Sequence, residues 1–231
     1  MRNIFIFIVV LIICFISINY YVYEKINESY STEQDLMKKI SSNIPDYIKI
    51  DNMPQNLLDA VVAVEDKRFY MHFGFDIIGI GRAFISNLKE GEIIQGGSTI
   101  TQQLAKNLFL SNEKTYKRKL KELFIAVKIE NLYTKEEILE MYLNEIYYGA
   151  GANGIQEASQ TYFNKNVEEL TSAQCTMLAG IIQAPSFYNP KKHPERAKKR
   201  QELVINLMAK NGYINKEAER NIKWQMVFMS Q

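Results

Sequence analysis

Two glutamates stand where the helical pattern around them calls for apolar side chains. Glu65 lies in the run Val61-Val62-Ala63-Val64-Glu65-Asp66-Lys67-Arg68-Phe69, four residues after Val61 and four before Phe69, with Leu58 and Val62 on the same stripe. That spacing marks one face of a helix. A carboxylate on such a face is costly to bury unless it is paired or put to use. Burial raises its pKa toward the range that suits a general base near neutral pH. The structural alternative is a partly buried ion pair with Lys67, Arg68 or a distant cation. Glu122 is the second anomaly. Its helix carries one stripe of Leu120, Leu123, Phe124 and Val127, while Glu122 sits on the other side with Ile125 and Ile129, so the helix is expected to be buried on two faces. Here the alternative is an Arg118–Glu122 pair one turn apart, worth about 0.2–0.5 kcal/mol on a surface.

Between them runs Gly96-Gly97-Ser98-Thr99-Ile100-Thr101-Gln102-Gln103-Leu104-Ala105-Lys106-Asn107, a glycine turn feeding a helix. Ser98 fits an N-cap, and Ile100, Leu104 and Leu108 face inward. Gln102, Gln103 and Lys106 share another face and can offer amide donors and a cation to one ligand. A helix N-terminus can hold an anion, and Lys106, Lys114, Arg118 and Lys119 add positive charge. Together they suit a pyrophosphate.

These residues need a scaffold, and the pattern is overwhelmingly helical. Thr134 with Glu137 and Thr171 with Gln174 read as capping boxes. Pro194 starts a further helix that Gly212 ends, and Asn215 begins a short last one. Neither a period-two strand run nor an internal repeat stands out. The fold class is mostly α. Residues 3–23 carry no charge and are long enough to span a bilayer core. Arg2 precedes them, Tyr20, Tyr21 and Tyr23 lie at their outer end, and no small-residue cleavage site is present. Residues 1–25 are therefore expected to be a single uncleaved transmembrane helix with a cytoplasmic N-terminus, 26–50 a polar stalk, and 51–231 one extracytoplasmic domain. Within it, residues about 75–95 are apolar and glycine-broken, either a core helix with a flexible start or a mobile flap against the membrane interface. A net charge of +2 is too small to imply nucleic-acid binding. The basic run from Lys191 to Lys210 reads as a solvated helix face that could also favour an anionic membrane. Cys14 lies in the span and Cys175 in the core pattern, so no intramolecular disulfide is expected.

The motifs fall in one order: Glu65-Asp66-x-x-Phe69-x-x-His72-x-Gly74, then Gly96 to Asn107, then Arg118-Lys119-x-x-Glu122. Lys135-x-x-Ile138-Leu139-Glu140-x-Tyr142-Leu143-Asn144 follows, and then Leu178-Ala179-Gly180-Ile181-Ile182-Gln183-Ala184-Pro185-Ser186-x-Tyr188-Asn189-Pro190. This series resembles the peptidoglycan glycosyltransferase family, the polymerase module of class A penicillin-binding proteins and of monofunctional transglycosylases, over about residues 51–215. The resemblance implies a lysozyme-like, two-lobed helical domain with a membrane-associated jaw. It implies lipid II as substrate, with the growing glycan chain and membrane lipids as partners alongside other cell-wall synthesis proteins. By motif position Glu65 is the general base for the acceptor 4-hydroxyl, which attacks C1 of the donor with inversion. Glu122 with Arg118, Lys119, Lys106 and Lys114 would stabilise the departing pyrophosphate, and Ser98, Gln102 and Gln103 would bind substrate. Many relatives have Arg where this chain has Lys114, which keeps charge but loses the bidentate fork. A divalent Mg or Mn ion is expected with the pyrophosphate, although no His/Asp cluster fixes one and Asp66 is the nearest carboxylate. Ser111-Asn112-Glu113-Lys114 and Ser41-Ser42-Asn43 match transpeptidase motifs in the wrong order and no KTG follows, so the expectation is a monofunctional polymerase. The rivals are a lysozyme-like glycan hydrolase, which two carboxylates in a helical cleft would also suit, and an inactive wall-synthesis scaffold.

Overall fold

The structure, a computed structural model, describes residues 33–82, 97–110 and 115–229, with isolated positions between 13 and 24. The helices among them are α1 (Glu33–Asn43), α2 (Gln55–Glu65), α3 (Ile100–Phe109), α4 (Tyr116–Leu132), α5 (Lys135–Glu145), α6 (Ile155–Phe163), α7 (Ser172–Ile181), α8 (Pro194–Lys210) and α9 (Lys216–Met229). A two-stranded hairpin, β1 (Tyr147–Gly149) with β2 (Ala152–Asn153), separates α5 from α6. The mostly α expectation stands. The hairpin was not legible because strands of three and two residues leave no alternation to detect.

Local chemistry sets the helix ends. Thr134 and Glu137 close a capping box on α5, as do Thr171 and Gln174 on α7, and each satisfies two otherwise orphaned N–H groups. Pro194 opens α8 at its first position, where its missing N–H costs nothing. Asn215 caps α9 by accepting Ala218 N through Oδ1 at 2.8 Å, and α9 runs to Met229 rather than being short.

Two groups of helices share one apolar core. The helices α2, α7 and α8 pack on one another, and α9 closes on the outer side of α7 and α8 through Ile222 and Met226 against Ala173 and Ile205. In the other group α3 packs on α4 and α5. Leu57, Val61, Leu104, Ile138, Met141 and Leu178 join the groups in a continuous cluster with essentially no exposed surface. Gly74 pins the loop after α2 to α4. Its φ is +78°, and a Cβ there would lie 2.9 Å from the Val127 nitrogen, so neither the angle nor the space admits another side chain.

Four expectations change. Residues 33–50 are part of the folded domain, not a stalk. Leu36 and Ile40 of α1 are buried in the core. The Glu140 carboxylate accepts from Tyr47 Oη (2.8 Å), Lys49 Nζ (3.1 Å) and Ile50 N (2.8 Å), while the Asn144 amide donates to and accepts from the Ile48 backbone. Polar composition misled here because the segment docks largely through polar bonds. Second, the helix carrying Glu65 stops at Glu65, and Phe69 is buried from a short 3-10 turn, Phe69–Met71, instead. Third, Leu120 is 57% exposed, and α4 buries Glu122, Phe124, Ile125, Ala126, Ile129 and Glu130. Fourth, the chain is helical again from 77 to 82, capped by Asp76. Ile77 and Ile78 are about 70% exposed there (71% and 68%), which excludes the core-helix alternative for these residues. The rest of the 75–95 segment beyond residue 82, and nearly all of the 1–25 anchor, lie outside the described residues; among those described no helix is long and apolar enough to cross a membrane.

Glu140→Ala should remove the acceptor for three donors, two of them from a docked backbone and a half-buried tyrosine. A loss of about 2–3 kcal/mol in denaturant unfolding is expected, together with rapid proteolysis confined to residues 33–50 of the native protein. Unchanged stability would show that this segment is not part of the cooperative unit.

Candidate active site

Glu65 ends α2 at the seam between the two helix groups. Its side chain is 9% exposed. Oε2 accepts from Gln103 Nε2 of α3 at 2.9 Å. The Gln103 amide is held in that sense by α5, because the Tyr142 hydroxyl donates to Gln103 Oε1 at 3.0 Å, leaving only the NH2 end to face the carboxylate. Oε1 has no hydrogen bond among the described residues. The nearest cation is Arg200 of α8, with Nη2 3.9 Å away, close enough for Coulomb attraction and too far for a hydrogen bond. Burial dominates, and it pushes the Glu65 carboxyl up despite the opposing pull of Gln103 and Arg200; the neighbouring Asp66 adds to the rise. Tyr142 and Tyr148 are fully buried. Burial, and then the Glu65 charge, drive both hydroxyls well above the ordinary tyrosine value. The Tyr148 hydroxyl has no partner among the described residues.

Asp66 turns the chain away from α2. Its Oδ2 takes His72 Nε2 at 2.8 Å and Ile100 N at 3.1 Å, so this carboxylate ties the loop to the first turn of α3. Thr99 caps α3, not Ser98: Thr99 Oγ1 accepts Gln102 N (3.1 Å) and donates to Gly74 O (2.8 Å), while Gln102 Oε1 accepts Thr99 N (2.9 Å). Gln102 is 1% exposed and spends its side chain on that box. Two residues after Asp66, Arg68 holds Asp76 through Nη2 at 2.7 and 2.6 Å. Burial alone would raise Asp76, but Arg68 and the Gly79 N–H bring its carboxyl below the usual range.

Glu122 forms a second centre. It is 2% exposed. Arg118 Nη1 donates to its Oε2 at 2.9 Å, and Lys119 Nζ bonds Oε1. Lys119 Nζ also donates to Ser98 Oγ at 2.7 Å. The Arg118–Glu122 pair one turn apart therefore exists, but as part of a three-member cluster in which the carboxylate is buried and Lys119 stays exposed, rather than as a simple surface pair. The α3 entrance bridges the centres, because Ser98 reaches Lys119 and Ile100, two residues on, reaches Asp66 beside Glu65. Lys106 sits half-buried in the last turn of α3. Lys114 lies outside the described residues. Of the substrate-binding candidates, Ser98, Arg118 and Lys119 gather on Glu122, and Gln103 is bonded to Glu65.

Arg200 was not singled out from the sequence, where the Lys191–Lys210 run reads as a solvated face. The structure corrects that reading at this residue, which is 9% exposed. It shares a stripe with the buried Ala197, Gln201, Val204, Ile205 and Met208. The signal that marked Glu65, a charge on an apolar stripe, was present here as well. Burial lowers the Arg200 pKa, and Glu65 and Tyr188 offset this in part.

The arrangement can accept a proton at one end and hold negative charge near the other. A family model described as transglycosylase matches residues 33–209. Penicillin-binding protein 1A of Aquifex aeolicus is 51% identical over 171 residues, covering 74% of this chain and 24% of that protein. Penicillin-binding protein 1F of Bacillus subtilis is 48% identical over 172 residues, again 74% of this chain and 24% of the other. A protein named as a transglycosylase in Cupriavidus necator is 49% identical over 172 residues, 74% of each chain. The chain thus spans about a quarter of the length of these penicillin-binding proteins and about three quarters of the shorter relative. The matched region contains Glu65, Glu122, Gln103, Tyr142 and Arg200 together, and this chain belongs to the transglycosylase family.

Proposed function

We propose that this chain polymerises lipid II, transferring a growing glycan strand from polyprenyl pyrophosphate to the 4-hydroxyl of an acceptor lipid II with inversion at C1. The observation that carries the reading is the desolvated Glu65 carboxylate. One oxygen is fixed by Gln103 and the other, Oε1, has no hydrogen bond among the described residues. Oε1 then takes the proton of the acceptor hydroxyl as its oxygen attacks C1, and the C1–O bond to pyrophosphate breaks on the opposite face. Arg118, Lys119, Lys106 and Lys114 hold the departing diphosphate, and Glu122 orients Arg118 and Lys119 without itself contacting the anion. Arg200 opposes the rise that burial imposes on the Glu65 carboxyl. A divalent ion enters this reading only as a companion of the pyrophosphate. Asp66 and Glu122 are both committed to protein donors, and no group of three His, Cys, Asp or Glu side chains among the described residues is placed to hold a metal, so no step is routed through an ion.

The two helix groups are, in this reading, the lobes of a lysozyme-like fold, with both glutamates facing one cleft between them. The exposed Met71, Phe73, Ile77, Ile78 and Ile80 form the edge of a jaw that rests in the outer leaflet, where apolar side chains at this density suit lipid better than water. Residues 1–25 anchor the domain in the cell membrane, cytoplasmic side first. The catalytic domain is extracytoplasmic, and its other partners are wall-synthesis proteins. Lipid II incubated with the detergent-solubilised chain should yield glycan polymer. Release of soluble muropeptides from purified cell wall instead would assign the site to a hydrolase.

Glu65→Gln should lower polymerisation about 10²–10⁴-fold with the fold retained. It should be no less stable than the parent near neutral pH, because it removes a poorly compensated buried charge. Substantial polymer from this variant would remove Glu65 from the base role.

The pH dependence carries a sign. The folded Glu65 carboxyl binds its proton more tightly than an unfolded glutamate, whose pKa is about 4.3. Its contribution to stability therefore falls as pH rises from that value through the folded pKa, then levels. The acid limb of kcat/KM should lie above the ordinary glutamate value. Gln103→Ala, which deletes the one hydrogen bond favouring the charged form, should move that limb further upward. A limb at the ordinary value, or no movement in the variant, would place the titrating base elsewhere.

A further inference from the structure

Beyond Glu65 and Arg200 the same wall continues to the surface as a ladder of stacked rings and guanidinium groups. The Arg200 guanidinium lies 5.5 Å from the Tyr188 ring, Tyr188 meets Phe187 edge-on with centroids 5.0 Å apart at 86°, and Phe187 lies under the Arg196 guanidinium at 4.3 Å. Arg196 and Arg200 are one turn apart on α8, so one helix face lays two cations over two consecutive aromatic residues. The turn bearing the rings is fixed at both ends. Phe187 N and Tyr188 N both donate to Ala184 O at 2.9 Å. The buried Asn189 accepts Lys191 N through Oδ1 (2.9 Å) and His193 N through its carbonyl (2.7 Å). Phe187 nevertheless remains 49% exposed with one side covered by Arg196 and an edge against Tyr188, so the exposed part is a rigidly held ring surface.

We propose that Phe187, with Arg196 beside it, is a carbohydrate platform that stacks a pyranose ring of the growing glycan strand, a sugar or more away from the bond being formed at Glu65. The proposal rests on the polymerase reading of the site. A pyranose presents axial C–H groups on one face, and these pack against the electron-rich face of an aromatic ring. Arg196, its guanidinium 4.3 Å from the Phe187 ring centre, brings N–H donors to the rim for sugar hydroxyl or acetamido oxygens. Because the rings are already ordered by backbone bonds, little side-chain freedom is lost on binding. Contiguity with Arg200 and Tyr188 puts this surface on the wall that begins at the catalytic carboxylate. A lone ring beneath a guanidinium offers too little apolar area to hold a bilayer, unlike the cluster of Met71, Ile77 and Ile78. Remote binding of this kind keeps the strand attached between additions, so it acts on strand length more than on the first coupling.

The test uses the full chain in detergent and a pyrophosphate-free tetrasaccharide of alternating N-acetylglucosamine and N-acetylmuramic acid. Phe187→Ala should weaken tetrasaccharide binding about three- to tenfold and shift polymer from lipid II toward short strands, with a smaller change in KM for lipid II. Phe187→Tyr should restore both, and circular dichroism of both variants checks that the fold is kept. Equal tetrasaccharide affinity in the parent and Phe187→Ala would overturn the platform. So would a defect seen only with lipid II in vesicles and not in micelles, which would give Phe187 to the membrane surface. Glu65→Gln run in parallel separates the two readings. Polymer from that variant overturns the base assignment and leaves the tetrasaccharide comparison standing.

Discussion

The molecule is organised around one poorly compensated charge. A carboxylate shielded from water normally demands several donors or a close cation, and Glu65 has a single amide and a guanidinium beyond bonding distance. Each of those groups comes from a different helix, α3 or α8, and the amide is oriented by a third, α5. The packing that holds these helices together therefore sets the proton affinity of the carboxylate. Stability lost at this residue is recovered in the fully buried apolar contacts around it, such as Leu57, Val61, Leu104 and Leu178.

The second carboxylate obeys the opposite rule. Glu122 is more buried than Glu65 but bonds two cations, and it holds Arg118 and Lys119 in place. One fold thus keeps one glutamate hungry for a proton and the other neutralised by its neighbours. The short stretch from Ser98 to Ile100 couples them, and the Thr99 cap and the Gly74 contact fix that stretch to the loop below and to α4. Unlike surroundings for two carboxylates of one fold suit them to unlike tasks.

The legible parts of the sequence were those with local rules. Helix content, the caps at Thr134, Thr171 and Pro194, and the anomaly of Glu65 follow from periodicity and end chemistry. The motif order carried the family. What periodicity could not show was long-range pairing. Nothing local says that Gln103 turns its amide toward Glu65, since that depends on a hydroxyl from α5. Gln102 looked like its twin, yet capping chemistry claims it, and the true cap Thr99 stood beside the plausible Ser98. The docking of residues 33–50 rests on Glu140 and Asn144, polar groups whose partners lie about ninety residues away (90 for Ile50, 96 for Ile48). Arg200 was legible in principle, since it occupies an apolar-stripe position, but a run of neighbouring basic residues hid it.

The order in which the chain is made gives the Glu65 environment a further meaning. Its helix α2 precedes α8, which supplies Arg200, in the chain, and synthesis delivers the N-terminal part first. Until α8 docks, Glu65 lacks the Arg200 guanidinium that the folded chain places 3.9 Å from it. The electrostatic setting of the carboxylate is therefore complete only once α8 has packed. That setting is a late reporter of completed folding.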